Sequence, residues 1–563
     1  MEMLARRGFF WQSFEIYGGM AGFVDYGPLG NALRRKIEDI WRKHFVVRER
    51  AIEIDTPTVC VEEVFIASGH VSCFTDVAIE CESCGRVFRA DHYIKDVLGI
   101  EIEPSIDTVK EIIESYDLKC VCGGKFKEPF LFNLMFSTVI GPGKGKRGYL
   151  RPETAQGIFI DFRRLLEYFR HKLPFGVAQI GRAYRNEISP RQGVIRLREF
   201  NQAELEYFVN PMEKTHPNFK KYENVVVKLL DKNDVLHEIT LREAVDKGVI
   251  CHELMAYFIG KTREFLLEVG VDENRLRFRQ HKDDERAHYA IDCWDAEVLT
   301  AYGWIEIVGI ADRTDYDLKK HMEHSGEDLR VFVQFEEPIR VKKRKIIPNM
   351  KKLGPVYRSK AKVIAQKLSE LEVNDNVSSV VIEVDGEKIE ISKEFFEVKE
   401  VEEEIHGEKV VPHVIEPSFG LDRITYTVLE HCFDKDIIEG EERRVLRLKR
   451  WVAPIPVAVL PLLSREPFIS KAKEIAEMLR NNGIYTDYDD SGSIGRRYRR
   501  FDEIGTPFCI TVDHQTFEDD TVTIRDRDTT KQVRVRIDEL PRILKELLTS
   551  EKDITEFGEI FRE

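Results

Sequence analysis

Gly181-Arg182-Ala183-Tyr184-Arg185-Asn186-Glu187, followed after a loop by Arg198-Glu199-Phe200-Asn201-Gln202-Ala203-Glu204-Leu205-Glu206, is the stretch on which the reading of this chain turns. Phe175 to Gly181 and Arg198 to Val209 read as strands. Alternate residues of a strand share a face. Phe200, Gln202, Glu204 and Glu206 therefore lie in one row, with Ala203, Leu205 and Tyr207 opposite. A row holding an aromatic ring, an amide and two carboxylates is not core packing. Phe200 and Glu204 are roughly 13 Å apart at about 3.3 Å per residue. That separation suits a ligand with a flat base at one end and an amine at the other. Arg185 and Glu187 share one face of the preceding strand. The competing reading is a salt-bridged, exposed hairpin.

Working outward, Leu33, Ile37, Ile40, Trp41 and Phe45 follow helical spacing between Asn31 and Phe45, after a Gly27-Pro28-Leu29-Gly30 turn. Ala51 to Ile54 reads as a short strand stopped at Asp55-Thr56-Pro57. Thr154 to Lys172 fits a helix. Three blocks read as insertions: 77–129, bearing cysteines; about 210–286, mostly helical; and about 316–412, basic and then acidic. A boundary falls near Leu448. Beyond it, strand Pro456 to Leu460, helix Pro467 to Asn481 and strand Ile484 to Tyr488 open a separate α/β module of ordinary domain size.

The chain has 563 residues, too many for one ordinary core. No apolar run is long enough to span a membrane. Met1 to Gln12 lacks the apolar segment of an export signal, so the expected setting is the cytoplasm, with ten reduced cysteines. The net charge of −14 is an average, and a nucleic-acid partner needs only a local positive surface. Arg340 to Lys362 and Arg496 to Arg500 are dense in base; each is either such a surface or a solvated face.

Glu416-Pro417-Ser418-Phe419-Gly420-Leu421-Asp422-Arg423 forms a second informative stretch, a strand-to-helix junction. Arg423 falls in the first helical turn, where a cation opposes the helix dipole unless an anion is near. The Arg-Asn-Glu and Arg-Glu-Phe pair resembles motif 2 of the class II aminoacyl-tRNA synthetases, and Gly420-Leu421-Asp422-Arg423 resembles their motif 3. The segment ending at Pro57 looks like motif 1. Arg151 to Gly157 (RPETAQG), Arg185 to Arg191 (RNEISPR), Gly303 to Arg313 (GWIEIVGIADR) and Glu416 to Gly420 (EPSFG) are similar to the glycyl-tRNA synthetase family of the dimeric archaeal and eukaryotic type.

That resemblance implies an α+β fold: an antiparallel catalytic sheet of six or seven strands flanked by helices, with insertions, over 1–447. A C-terminal α/β anticodon-binding domain follows over 448–563. It implies ATP-dependent ligation of glycine to tRNA(Gly) through a glycyl-adenylate, in a homodimer, with Mg²⁺ accompanying ATP. Arg185, Glu187 and Arg423 are the implied catalytic residues. Asn186, Ile195, Arg196 (or Arg191), Arg198, Phe200, Glu306, Ile307 and Gly420 join them around ATP, with Glu306 as the Mg²⁺ ligand. Arg89, Glu153, Gln202, Glu204, Glu416 and Ser418 are the implied glycine-binding set. Carboxylates and a hydroxyl suit the ammonium, glycine's only positive handle. A pocket that needs only to exclude bulk calls for no editing domain. The rivals are another synthetase of the subgroup (Thr, Pro, Ser or His) and a synthetase-like tRNA-binding protein without catalysis.

Cys81-x-x-Cys84 and Cys120-x-Cys122 suggest a structural zinc site, although the second pair is one residue shorter than usual; the alternative is four reduced structural cysteines. His281 to Tyr289 and Asp292 to Asp295 are rich in His and Asp, but a solvated or structural role is favoured over a metal. Arg496, Arg497, Arg499, Arg500, Arg525 and Arg527 are expected to meet tRNA phosphates.

Overall fold

The computed structural model describes residues 2–190, 193–283, 285, 290–371, 377–384, 386–438 and 440–562. Two compact units emerge, one of residues 1–329 and 411–563, the other of 330–410.

The larger unit is built on a nine-stranded sheet. In chain order its strands are β1 (Ile52–Glu53), β2 (Phe175–Tyr184), β3 (Glu199–Val209), β4 (Val226–Leu230), β5 (Leu236–Thr240), β6 (Leu276–Gln280), β7 (Asp292–Thr300), β8 (Gly303–Thr314) and β9 (His413–Gly420). They lie side by side as β5-β4-β6-β7-β8-β9-β3-β2-β1. The pairs β1–β2 and β4–β6 run parallel and every other pair antiparallel. The sheet exceeds the expected six or seven strands because the segment 210–286, read as mostly helical, contributes β4, β5 and β6. The apolar run of the helix Glu253–Val269 dominates that segment and masks its short strands.

One face of the sheet is covered by helix α1 (Pro28–Arg42), the helix Glu253–Val269 and helix α2 (Leu421–His431). Leu33, Ile37, Trp41, Phe265, Ile424 and Val428 bury against Ala203, Leu205, Tyr207, Ile310 and Phe419 in one core. Because side chains alternate across the sheet, burying that set turns Phe200, Gln202 and Glu204 to the other face. The helix expected over Thr154 to Lys172 breaks at Asp161 into Ala155–Ile160 and Phe162–Tyr168.

Residues 457–562 of this unit form a six-stranded sheet with its own core, including Val457, Ile475, Leu479, Ile510, Ile524 and Leu544. Three arginines expected at phosphates are structural instead. Arg497 is 1 % exposed and donates to the Gly492 carbonyl at 2.7 Å. Arg525 pairs with buried Asp502 at 2.9 Å, and Arg527 donates to the Leu448 and Gly505 carbonyls, both at 2.8 Å. Arg496 stays exposed on the helix Ile494–Ile504. Asp502 also accepts from Arg443 at 3.1 Å, tying the hairpin Phe433–Leu446 to this module.

The unit 330–410 pairs the strand Val331–Pro348 with Phe396–Val410. This register sets Arg340 opposite Glu404, Lys342 opposite Glu402 and Arg344 opposite Glu400. Ion pairs follow, Arg340 to Glu404 at 3.1 Å and Lys342 to Glu400 at 3.2 Å. The basic stretch thus faces an acidic one, which reduces what it can offer a polyanion. Among the described residues no helix is long and apolar enough to cross a membrane.

Asp502→Ala leaves two buried guanidiniums short of a carboxylate. It should lower stability by about 3–5 kcal/mol, checked by chemical denaturation; a loss below about 1 kcal/mol would assign the network a surface-like value.

Candidate active site

Three adjoining strands supply the site by alternation. β3 offers Phe200, Gln202 and Glu204, β9 offers Glu416, Ser418 and Gly420, and β8 offers Ile307, Gly309, Ala311 and Arg313. Their register aligns Gln179, Glu204, Ser418, Gly309 and Asp295 in one row across five strands. Gly309 and Ala311 keep the row open above them, and the resulting cleft holds about 340 Å³.

The floor at one end is acidic and tightly bonded. Glu204 accepts from Ser418 Oγ at 2.7 Å through one oxygen. Its other oxygen accepts from the Thr154 N–H at 2.8 Å and from the Thr154 hydroxyl. Arg313, 1 % exposed, donates to both oxygens of Glu416 at 3.1 and 3.0 Å and to Asp317 at 2.8 Å. It stands 3.5 Å from Glu153, which also accepts from Gln156 at 2.9 Å. The segment bearing Glu153 is seated by Arg151, whose guanidinium donates to the Thr56 and Arg182 carbonyls, both at 2.8 Å. Arg151 lies over Gly181, where a Cβ would overlap it. Burial pushes the Glu416 carboxyl up to about 8, against Arg313 and with help from Glu204 and Glu153. Burial acts the same way on Glu153, but Arg313 and His70 outweigh it and hold that carboxyl well below the usual range.

The other end is basic and aromatic. The Arg185 guanidinium lies 5.3 Å from the Phe200 ring centre and 5.4 Å from that of Phe74. Arg423 enters from the first turn of α2, which Asp422 fastens to β3 by accepting from the Asn201 N–H at 2.6 Å. Its guanidinium donates to the Ile195 carbonyl at 3.0 Å, the Glu306 carbonyl at 2.7 Å and the Glu306 carboxylate at 3.1 Å. Arg196 donates to Glu187 at 2.7 Å.

Glu153, Arg185, Glu187, Ile195, Arg196, Phe200, Gln202, Glu204, Glu306, Ile307, Glu416, Ser418, Gly420 and Arg423 all line this one cleft. Arg89 lines an adjoining cleft with Arg185 and Arg423, paired to Asp91 at 2.8 Å. Asn186 and Arg198 line neither. Arg198 donates to the Glu187 and Ala21 carbonyls at 2.9 and 2.8 Å, so its guanidinium fastens the loop between β2 and β3. Arg191 lies outside the described residues.

Sequence reasoning assigned no role to Arg313, Thr154 or Asp317. Arg313 had a signal: Gly309, Ala311 and Arg313 share one face of a strand, two small residues leading to a cation. Asp317 fell inside a block read as an insertion, yet its helix Tyr316–Ser325 belongs to the larger unit. His281, Cys293 and Asp295 also line the cleft; His281 bonds Asp295 at 2.8 Å. Burial and Glu306 push the Asp295 carboxyl up to about 6.

Away from the cleft, the four cysteines converge. Cys81 and Cys122 sulfurs are 3.5 Å apart, Cys84 and Cys120 sulfurs 3.8 Å, and all four lie within 4.8 Å of one another. Four thiolates around one zinc ion at 2.3 Å stand about 3.8 Å apart, so the arrangement fits a tetrahedral ion.

Comparison with known families agrees with this architecture. The model for the tRNA synthetase class II core domain (G, H, P, S and T) matches residues 142–432, and that for the anticodon binding domain matches 456–547. Fold and cleft are those of a class II aminoacyl-tRNA synthetase. The chain is 74 % identical to the glycine–tRNA ligase of Archaeoglobus fulgidus, covering 100 % of this chain and 99 % of that one. It is 54 % identical to the glycine–tRNA ligase of Methanothrix thermoacetophila (99 % and 98 % covered) and 52 % to that of Methanocaldococcus jannaschii (97 % and 98 %). The chain belongs to the glycine–tRNA ligase family.

Glu416 is held far above its ordinary 4.5 in the folded protein, so its ionisation opposes folding as pH rises from there to about 8. In Glu416→Gln that contribution is gone. The variant's thermal midpoint, relative to the unsubstituted protein, should climb between about pH 5 and about pH 8; a flat difference contradicts the assignment.

Proposed function

We propose that this cleft joins glycine to ATP as glycyl-adenylate and then passes glycine to the terminal ribose of tRNA(Gly). One observation carries the reading: Glu204, Ser418 and Glu153 gather at one end of a cleft whose other end holds Phe200, Arg185 and Arg423. Glycine's carboxylate attacks the α-phosphate and pyrophosphate leaves; a ribose hydroxyl then attacks the adenylate carbonyl and AMP leaves. Both steps concentrate negative charge, so positioning and charge neutralisation do most of the catalysis.

Arg185 bridges glycine's carboxylate and the α-phosphate, stabilising charge where it develops. Phe200 stacks on adenine, and Arg423 takes the opposite face and reaches the outer phosphates with Arg196. Glu187 accepts from adenine or from the tRNA end. Glu306 and Asp295 would be the oxygen donors to a Mg²⁺ ion accompanying ATP, which would supply charge neutralisation to the phosphates on that side. ATP then replaces Glu306 as the partner of Arg423. Glu153, Glu204, Glu416, Gln202 and Ser418 receive the ammonium, and Arg89 closes over glycine from the neighbouring cleft.

Cys81, Cys84, Cys120 and Cys122 hold a structural zinc ion, a reading supported by their mutual distances. Arg496 and its neighbours on Ile494–Ile504 serve the anticodon arm. A homodimer is supported by Trp11, Phe14, Ile16, Tyr17 and Met20, all exposed in the N-terminal segment and suited to burial against a second copy. Its working place is the reducing cytoplasm.

ATP–pyrophosphate exchange with each of the twenty amino acids tests the reading: glycine alone should support it. Arg185→Ala should lower that exchange about 10²- to 10³-fold while tRNA binding persists; exchange driven by another amino acid, or retained in this variant, overturns the assignment. Elemental analysis should find about one zinc per chain, lost in Cys84→Ser and on chelation with a drop in thermal midpoint. Absence of zinc from protein purified without chelator leaves four structural thiols.

A further inference from the structure

Glu206 is the one member of the sequence-defined row that does not line the cleft. It is 0 % exposed, and among the described residues neither of its carboxyl oxygens has a hydrogen-bond partner. An ionised carboxylate in that state would carry a large desolvation penalty with no compensation.

Its surroundings deepen the problem. The pairs Glu204–Ser418 and Tyr207–Ile415 bracket Glu206 and Glu416, setting these two side by side on β3 and β9. Glu204, Glu206 and Glu416 each bring an oxygen within 4.8 Å of the others. Glu204 on its own strand, Glu416 on β9 and Asp317 on the helix Tyr316–Ser325 all act on Glu206, and Arg313 on β8 counters them. Arg313 is already bonded to Glu416 and Asp317 and lies near Glu153. Burial and Glu416 raise the Glu206 carboxyl well above its ordinary range.

We propose that Glu206 is a positioning residue of the glycine pocket, an un-ionised carboxylic acid whose O–H is directed to the neighbouring carboxyl group of Glu416. Its proton keeps a further negative charge out of a floor where Glu153, Glu204 and Asp317 already outnumber Arg313, and its O–H gives Glu416 a second donor beside Arg313. The inference rests on the glycine-pocket reading above. It adds a group that touches no substrate yet sets the charge and orientation of one that does.

Steady-state exchange kinetics test it. Glu206→Leu keeps the volume but loses the donor, and should raise KM for glycine about tenfold, with kcat changed less. Glu206→Gln carries an N–H donor in place of the O–H and should recover most of that loss. It should also remove any rise of KM at alkaline pH that comes from ionising Glu206. Infrared spectra give a readout independent of activity: the carbonyl stretch of protonated carboxylic acids should lose intensity in Glu206→Gln at neutral pH. Thermal midpoints of both variants, matched to the unsubstituted protein, separate these effects from misfolding.

Glu204→Ala runs in the same assay. If it leaves KM for glycine unchanged, the pocket reading fails and takes this proposal with it. If it raises KM while the Gln and Leu variants at 206 are equally impaired or equally normal, the pocket stands and the proposal for Glu206 falls. An undiminished infrared band in Glu206→Gln overturns it as well.

Discussion

The pleat of three neighbouring antiparallel strands is the constraint on which the site depends. Side chains of a strand alternate between two faces, so one decision about which set is buried fixes every other residue. Ala203, Leu205 and Tyr207 bury under α1 and the helix Glu253–Val269, and Phe200, Gln202 and Glu204 have no other side to occupy. The antiparallel register then carries the same face onto β9 and β8. Residues more than two hundred positions apart, Glu204 and Ser418, meet at hydrogen-bond distance for that reason.

This explains what the sequence made legible. A two-residue period is a local signal, so the row in β3, the helix turn that presents Arg423 and the pairing of the cysteine knuckles could all be read directly. What stayed hidden was set by register and by partners remote in sequence. Arg313 sat in a quoted stretch, but nothing local says that Glu416 and Asp317 will surround it. The same limit misled the reading of Arg525 and Arg527. As letters they resemble phosphate contacts, and only the packing of the C-terminal sheet against Asp502 and the Leu448 carbonyl shows them sealed inside. The short strands β4 and β5 were lost beside a long apolar helix for a related reason: strand pairing is a property of two segments, helical periodicity of one.

Charge follows a similar logic. A net −14 misrepresents a molecule whose cleft is itself divided, acidic where an amine is expected and basic where phosphates are. In the unit 330–410, the opposite occurs: a strongly basic strand is laid against a strongly acidic one and the two largely cancel. Composition averages over both arrangements. Only position distinguishes a field that is used from one that is neutralised.

Gly181 has no side chain, makes no contact with the cleft, and still constrains it. The Arg151 guanidinium rests in the space that a methyl group at Gly181 would take, and Arg151 seats the turn bearing Glu153 and Thr154. The acidic end of the cleft is therefore pre-set by the protein's own atoms before any substrate arrives. A side chain at position 181 therefore meets a cation thirty residues upstream, and can be housed only by displacing the guanidinium that holds the Glu153 turn in place.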